Sequence, residues 1–221
     1  HFIAQGNPEM SFDLNVRSLQ VLLEAMRKAG VSRLILPSSS LVYGVVDKLP
    51  VDEDVLPKPT NIYGYHKYIA EKLAEAYSWN YDIKISVLRL FNVYGAGGSG
   101  ILSILVDKAL KHEVFKLYGK EQKRDLVHVS DVADAFAKML CLEHKFTIYN
   151  VGTGVGRSIE DIVNLIKEYF PDLSVEYVAC EGLPYDLVAD ITKIRNDIDF
   201  NPDGSDYKIR EVIQGLQEQK Q

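Results

Sequence analysis

The chain has 221 residues, 47% hydrophobic and 25% charged, enough to bury a sizeable core in one large domain or two small ones. Its net charge of −6, from 31 acidic against 25 basic residues with no basic stripe, argues against nucleic acid as the main partner. No apolar run approaches the roughly 20 residues a membrane helix needs. The two cysteines, Cys141 and Cys180, make neither a disulfide framework nor a C-x-x-C pair, and the five histidines lack ligand spacing. Free thiols in a reducing cytoplasm and no metal site are therefore expected.

In chain order, short β-rich runs alternate with longer helical patterns, which predicts an α/β fold with a doubly wound parallel sheet. His1-Phe2-Ile3-Ala4 reads as the end of a strand. A helix is expected from about Asn7 to Ala29, because Leu14, Leu19, Leu22, Leu23 and Met26 recur at helical spacing and Gly30 stops it. Arg33 to Leu36 reads as a buried strand leading into the small-residue run Pro37-Ser38-Ser39-Ser40. The stretch from Val45 to Thr60, with Pro50, Pro57 and Pro59, reads as an irregular loop. A second helix is expected from about Tyr63 to Asn80, then a strand from Ile83 to Leu88.

After Gly95 the texture changes. Gly97, Gly98 and Gly100 precede a helix from about Ile101 to Lys111, and two short β runs flank Gly119 (Val114 to Tyr118 and Leu126 to Val129). Ser130-Asp131 is expected to cap a helix reaching about Leu142. Thr147 to Val151 reads as a strand. Ser158 is expected to cap a further helix whose first turn carries Glu160 and Asp161, at the positive end of the helix dipole.

Tyr63-Gly64-Tyr65-His66-Lys67 carries the sharpest chemical signal. Residues four apart share a helix face, so Tyr63 and Lys67 are expected to lie one above the other. An ammonium beside a phenol favours the phenolate and is expected to lower the Tyr63 pKa, giving a base for a substrate hydroxyl. Y-x-x-x-K alone is more often an ordinary solvated helix face. Ser38-Ser39-Ser40 adds context, since ligands of open α/β sheets bind outside the carboxyl ends of the strands.

Together these residues resemble the extended short-chain dehydrogenase/reductase family, of the NAD-dependent sugar-nucleotide epimerase/dehydratase type. The resemblance rests on six segments in order. They are His1 to Gln5 with Asn15-Val16, Ser38 to Gly44, Tyr63 to Lys67, Arg89 to Gly95, Arg124 to Val132, and Tyr149 to Gly154. It implies a Rossmann-like sheet lacking its first βαβ part (residues 1–96 and 127–153) and a smaller sugar-nucleotide-binding α/β domain (97–126 and 154–221). It further implies Ser39, Tyr63 and Lys67 as catalytic residues. Phe2, Ile3, Ala4, Asn15, Pro37, Ser38 and Leu90, with Tyr63 and Lys67, would line the cofactor. Ser39, Ser40, Asn92 and Arg124 would hold a nucleoside-diphosphate sugar. The implied reaction is a transient oxidation to a keto sugar, with Tyr63 as base and then acid and hydride passing to and from NAD. NADP is the alternative cofactor. A homodimer through the two long helices is implied as well.

Three departures qualify the resemblance. The glycine-rich loop that cradles a cofactor pyrophosphate is absent and is expected to precede His1. Ser40 and Leu41 follow Ser39 where water-eliminating relatives carry an acidic pair, which favours an epimerase over a 4,6-dehydratase. Leu183 stands where many relatives carry a diphosphate-clamping arginine, leaving Arg157 and Arg195 as candidates for that role. Decarboxylation or reduction on the same scaffold, or a non-catalytic relative, are the other readings.

Overall fold

The computed structural model describes residues 4, 6–98, 100–178 and 185–220. Phe2 and Ile3 lie outside the described residues, and Ala4 is buried in helical backbone rather than ending a strand. Asn7 caps α1 (Pro8–Phe12), accepting from Met10 N, and Pro8 occupies the first turn, where its missing N–H has no partner to lose. The single helix expected from Asn7 to Ala29 is interrupted, because Asp13–Arg17 forms a π turn before α2 (Ser18–Ala29) begins. The cause is local. Asn15 donates its side-chain amide to Ser11 O at 2.8 Å, competing with the backbone N–H that would take that carbonyl in an α-helix. Gly30, at φ 69°, ends α2 as expected.

β1 (Arg33–Ser39) continues past Leu36, and Ser40–Val42 closes as a 3-10 turn. Asn61 caps α3 (Ile62–Tyr81), which leads to β2 (Lys84–Leu90) and the short β3 (Asn92–Tyr94). Next come α4 (Ile101–Leu110), β4 (Phe115–Tyr118), β5 (Lys123–His128) and α5 (Val129–Met139). The cap of α5 is the His128 ring, which accepts from Ser130 N, rather than the Ser130-Asp131 pair. β6 (Phe146–Val151) and β7 (Gly156–Ser158) follow. Ser158 and Asp161 then form a reciprocal capping box on α6 (Ile159–Lys167). β8 (Val175–Val178), α7 (Thr192–Ile198) and α8 (Asp206–Lys220) complete the described elements.

β1, β2 and β6 form a parallel sheet in the order β1-β2-β6, with Ser38 opposite Arg89 and Ser39 opposite Leu90. A parallel sheet must be covered on both faces, and here it is. On one face Leu19, Leu23 and Met26 of α2 and Ala70 and Ala74 of α3 pack on Ile85 and Val87. On the other, Tyr43, Leu88, Tyr149, Met139 and Phe200 form a second cluster. A third cluster joins α4, α6 and α8 through Leu105, Ile162, Ile166 and Ile213. It lies beside the β3-β5-β7 and β4-β8 sheets, so the site falls where the main sheet gives way to these smaller layers. Cys141 is an exposed free thiol, and Cys180 lies outside the described residues. Among the described residues no helix is long and apolar enough to cross a membrane, and no cluster of His, Cys, Asp or Glu suits a metal ion.

Candidate active site

The first turn of α3 is pinned to the end of β1. Asn61 Oδ1 accepts from Gly64 N at 2.9 Å, and Gly64 rests so closely on the 3-10 turn that a Cβ there would come 2.5 Å from Leu41 O. Only glycine allows that approach, and it brings Tyr63 to the cavity that Ser39 lines. One turn further on, Lys67 Nζ donates to Pro37 O at 3.0 Å and lies 5.9 Å from the centroid of the Tyr63 ring. The pair shares a face, as the spacing predicts.

Its electrostatics differ from the expectation. Burial pushes the Tyr63 phenol above its ordinary value, because leaving water disfavours the phenolate. Burial likewise pulls the Lys67 ammonium below its ordinary value, with the nearby Glu71 carboxylate partly opposing the shift. Burial, not Lys67, therefore sets the direction of the Tyr63 shift.

A cavity of about 300 Å³ is lined by Ser38, Ser39, Tyr63, Leu90 and Asn92, with Tyr94, Ile101 and Leu126 among its apolar walls. A second, of about 640 Å³, shares Ser39, Leu90, Phe91 and Asn92 and extends past Ser40 to Thr60, Gln122, Arg124 and Tyr185. The substrate candidates Ser39, Ser40, Asn92 and Arg124 thus line one continuous region at the carboxyl ends of β1 and β2. Ser39 Oγ accepts from Leu41 N at 3.2 Å, which orients the hydroxyl and leaves its proton available to donate. Asn92 Nδ2 donates to Asp125 O at 3.4 Å. The Arg124 fork is held by Tyr185 O and Gln122 Oε1, each at 2.5 Å, and its burial lowers its pKa.

Other expected residues fall elsewhere. Asn15 is tied to Ser11 in the π turn and is not among the residues lining either cavity. Arg157 is committed to Asp206, at 2.8 Å from Nε, and to Gly204 O, so it is not the missing clamp of the Arg124 cavity. Arg195 lies exposed on α7 and lines neither cavity. Leu183 lies outside the described residues.

Residues that sequence reasoning did not single out prove central. Glu71 and Arg89 form a fully buried bidentate pair, with Nε–Oε1 at 3.1 Å and Nη2–Oε2 at 2.8 Å, and Ser38 Oγ donates to the same carboxylate at 2.5 Å. The fourfold spacing Tyr63, Lys67, Glu71 was the available signal. Asp125, neighbour of Arg124, is wholly buried and accepts from Thr153 N, Thr153 Oγ1, Gly154 N and Ala189 N.

Comparison with known proteins adds independent findings. The sequence model of the NAD dependent epimerase/dehydratase family matches residues 4–152. A protein of Methanocaldococcus jannaschii provisionally named UDP-glucose 4-epimerase is 36% identical over 196 residues, covering 85% of this chain and 64% of its own length. The UDP-glucose 4-epimerase of Rhizobium leguminosarum bv. trifolii is 30% identical over 234 residues, covering 94% of this chain and 70% of its own. The solved UDP-glucose 4-epimerase of Thermus thermophilus, in complex with NAD, matches with a TM-score of 0.87 at 28% identity, over 97% of this chain and 73% of that one. The chain therefore spans between roughly two thirds and three quarters of these relatives.

Proposed function

The chain belongs to the NAD dependent epimerase/dehydratase family, and from that membership we propose that its activity is the C4 epimerisation of a UDP-hexose, with NAD as resident cofactor. One observation carries the reading: the Ser39 hydroxyl and the Tyr63 phenol line the same cavity, beside Asn92, at the carboxyl ends of parallel strands. Tyr63 takes the proton from the sugar hydroxyl and later returns it. Ser39 donates to the same sugar oxygen and holds it in line.

The residues present suit the nicotinamide end of the cofactor. A lysine ammonium has three donors, and Pro37 O takes one from Lys67, so the side chain is anchored on β1 while able to bond a ribose hydroxyl. Leu90 and the Pro37-Ser38 backbone would flank it, and Ala4, Asn15 and the residues before them would follow its length. Bound NAD would supply the hydride acceptor and a positively charged ring. We assign residues 1–96 and 127–153 to the cofactor-binding unit, and 97–126 and 154–221 to the substrate-binding unit. The exposed apolar residues Val21 and Leu22 on α2 and Tyr65 and Ile69 on α3 support a homodimer through these helices, to be tested by sedimentation. The exposed free thiol of Cys141 suits a reducing compartment, and the cytoplasm is the proposed setting.

The UDP-glucose 4-epimerase relatives support a UDP-hexose. The full-length protein should interconvert UDP-glucose and UDP-galactose without net change in NAD, measured by separating the two products. No interconversion of any UDP-hexose would defeat the proposal. In the same assay Arg124→Ala should raise KM by roughly 10- to 100-fold with kcat little changed, the weight of one charge-assisted hydrogen bond to an anionic ligand, about 1.5–3 kcal/mol. An unaltered KM would remove Arg124 from the substrate site.

A further inference from the structure

Resting on the reading of Tyr63 and Ser39 as the reacting pair, we propose that Glu71 is a positioning residue: its carboxylate locks α3 onto β1 and β2 and so holds the phenol against the serine hydroxyl. Tyr63, Lys67 and Glu71 recur every fourth residue and face the same side of α3. Glu71 receives Ser38 from β1 and the Arg89 fork from β2, and these two stand opposite each other in the sheet. The next rung holds Ser39 and Leu90, both lining the cavity.

Side chains alternate along a strand, so Ser38 turns toward the helix and Ser39 toward the opposite face. The helix is thus fixed at two points. Gly64 rests on Leu41 at its first turn, and Glu71 grips both strands two turns deeper. Tyr63 lies at the first contact, and Lys67 lies between the two.

Packing alone does not explain the arrangement. A buried ion pair contributes little over well-packed apolar side chains of the same volume, because desolvating two charges offsets their attraction. Glu71 and Arg89 are both 2% exposed at the side chain, and Arg89 Nη1 has no hydrogen-bond acceptor among the described residues. Arg89 instead covers the Tyr43 ring at 4.7 Å from its centroid, and Tyr43 OH donates to Asn150 of β6 at 2.7 Å. The pair costs desolvation, and in return it supplies directional bonds that no methyl group can.

The test is a comparison of NAD-loaded full-length proteins. Glu71→Gln should lower kcat about 100-fold with KM for UDP-glucose within about threefold, the loss expected of a misplacement near 1 Å. Glu71→Met with Arg89→Met should restore the melting temperature while kcat stays at least about 30-fold down, because Ser38 and the helix remain untied. Recovery of kcat together with stability would mean the pair only packs, and would overturn the proposal. If the double variant fails to fold, Ser38→Ala decides, since it leaves the ion pair intact. It should lower kcat about 10-fold at unchanged KM, with the melting temperature only several degrees down for the one lost hydrogen bond, and a wild-type kcat would refute the role. Crystal structures give a readout that needs no turnover: the Ser39 Oγ to Tyr63 Oη separation should lengthen in Ser38→Ala. A separation equal to wild type contradicts positioning. If the wild-type protein turns over no UDP-hexose, the functional reading fails, and that separation still decides the role of Glu71.

Discussion

Tyr63→Phe is expected to lower kcat for UDP-hexose interconversion by about 10²- to 10⁴-fold, the usual range for loss of a general base. KM should move only a few-fold. The substitution removes one oxygen and leaves the ring, so the wall of the cavity and the contact of the ring with Lys67 are kept. Gly64, which sets the approach of α3 to Leu41, is untouched. The loss should therefore be confined to proton transfer, with the bound NAD content the same as wild type by absorbance after denaturation. Turnover within threefold of wild type would show that another group handles the proton.

Asp125→Ala should cost stability rather than chemistry, at about 4 kcal/mol. Its carboxylate accepts Thr153 N and Thr153 Oγ1 at 2.7 Å, Gly154 N at 2.9 Å and Ala189 N at 3.1 Å. Truncation would orphan three backbone N–H groups and a hydroxyl in a site without solvent exposure, at about 1–3 kcal/mol each before relaxation. Partial refilling by water brings the sum to the upper end of single-mutant effects. For a chain of this size that corresponds to a melting temperature lower by roughly 8–16 °C. Asp125→Asn keeps the shape and one acceptor oxygen, so its loss should be about half as large. Scanning calorimetry of the three proteins checks the order, and equal melting temperatures would remove Asp125 from its structural role.

The readability of this fold from sequence follows the range of the forces involved. The face shared by Tyr63 and Lys67, the stop at Gly30 and the cap at Ser158 depend on residues within a turn of one another, and each was legible. The π turn was not. Hydrophobic spacing across Asn7 to Ala29 says nothing of the Asn15 side chain competing for Ser11 O. His128 displaced Ser130 and Asp131 as a cap because its ring, held by the end of β5, reaches Ser130 N.

Burial was the harder quantity. Glu71 reads as one more charge on a helix until Arg89 and Ser38 arrive from two strands to enclose it. The sign of the Tyr63 shift failed for the same reason. Spacing reports the distance to Lys67 but not how far both groups have left water, and burial shifts each toward its neutral form. Asp125 sits inside a segment whose resemblance drew attention to Arg124, yet its four donors come from three backbone N–H groups and one side chain, spread over two distant segments. No local pattern announces them.

The most direct measurement is the titration of the Tyr63 phenol, taken as the ultraviolet difference between wild type and Tyr63→Phe, with and without NAD. In the cofactor-free protein burial raises this pKa, so the phenolate should emerge only at a pH above the ordinary phenol value of about 10. A bound cofactor carrying a positively charged ring would favour the phenolate together with Lys67, so with NAD the transition should fall below that value, toward the pH at which kcat rises. A phenol that still titrates above its ordinary range in the NAD complex could not serve as the base, and Tyr63 would lose its place at the centre of the chemistry.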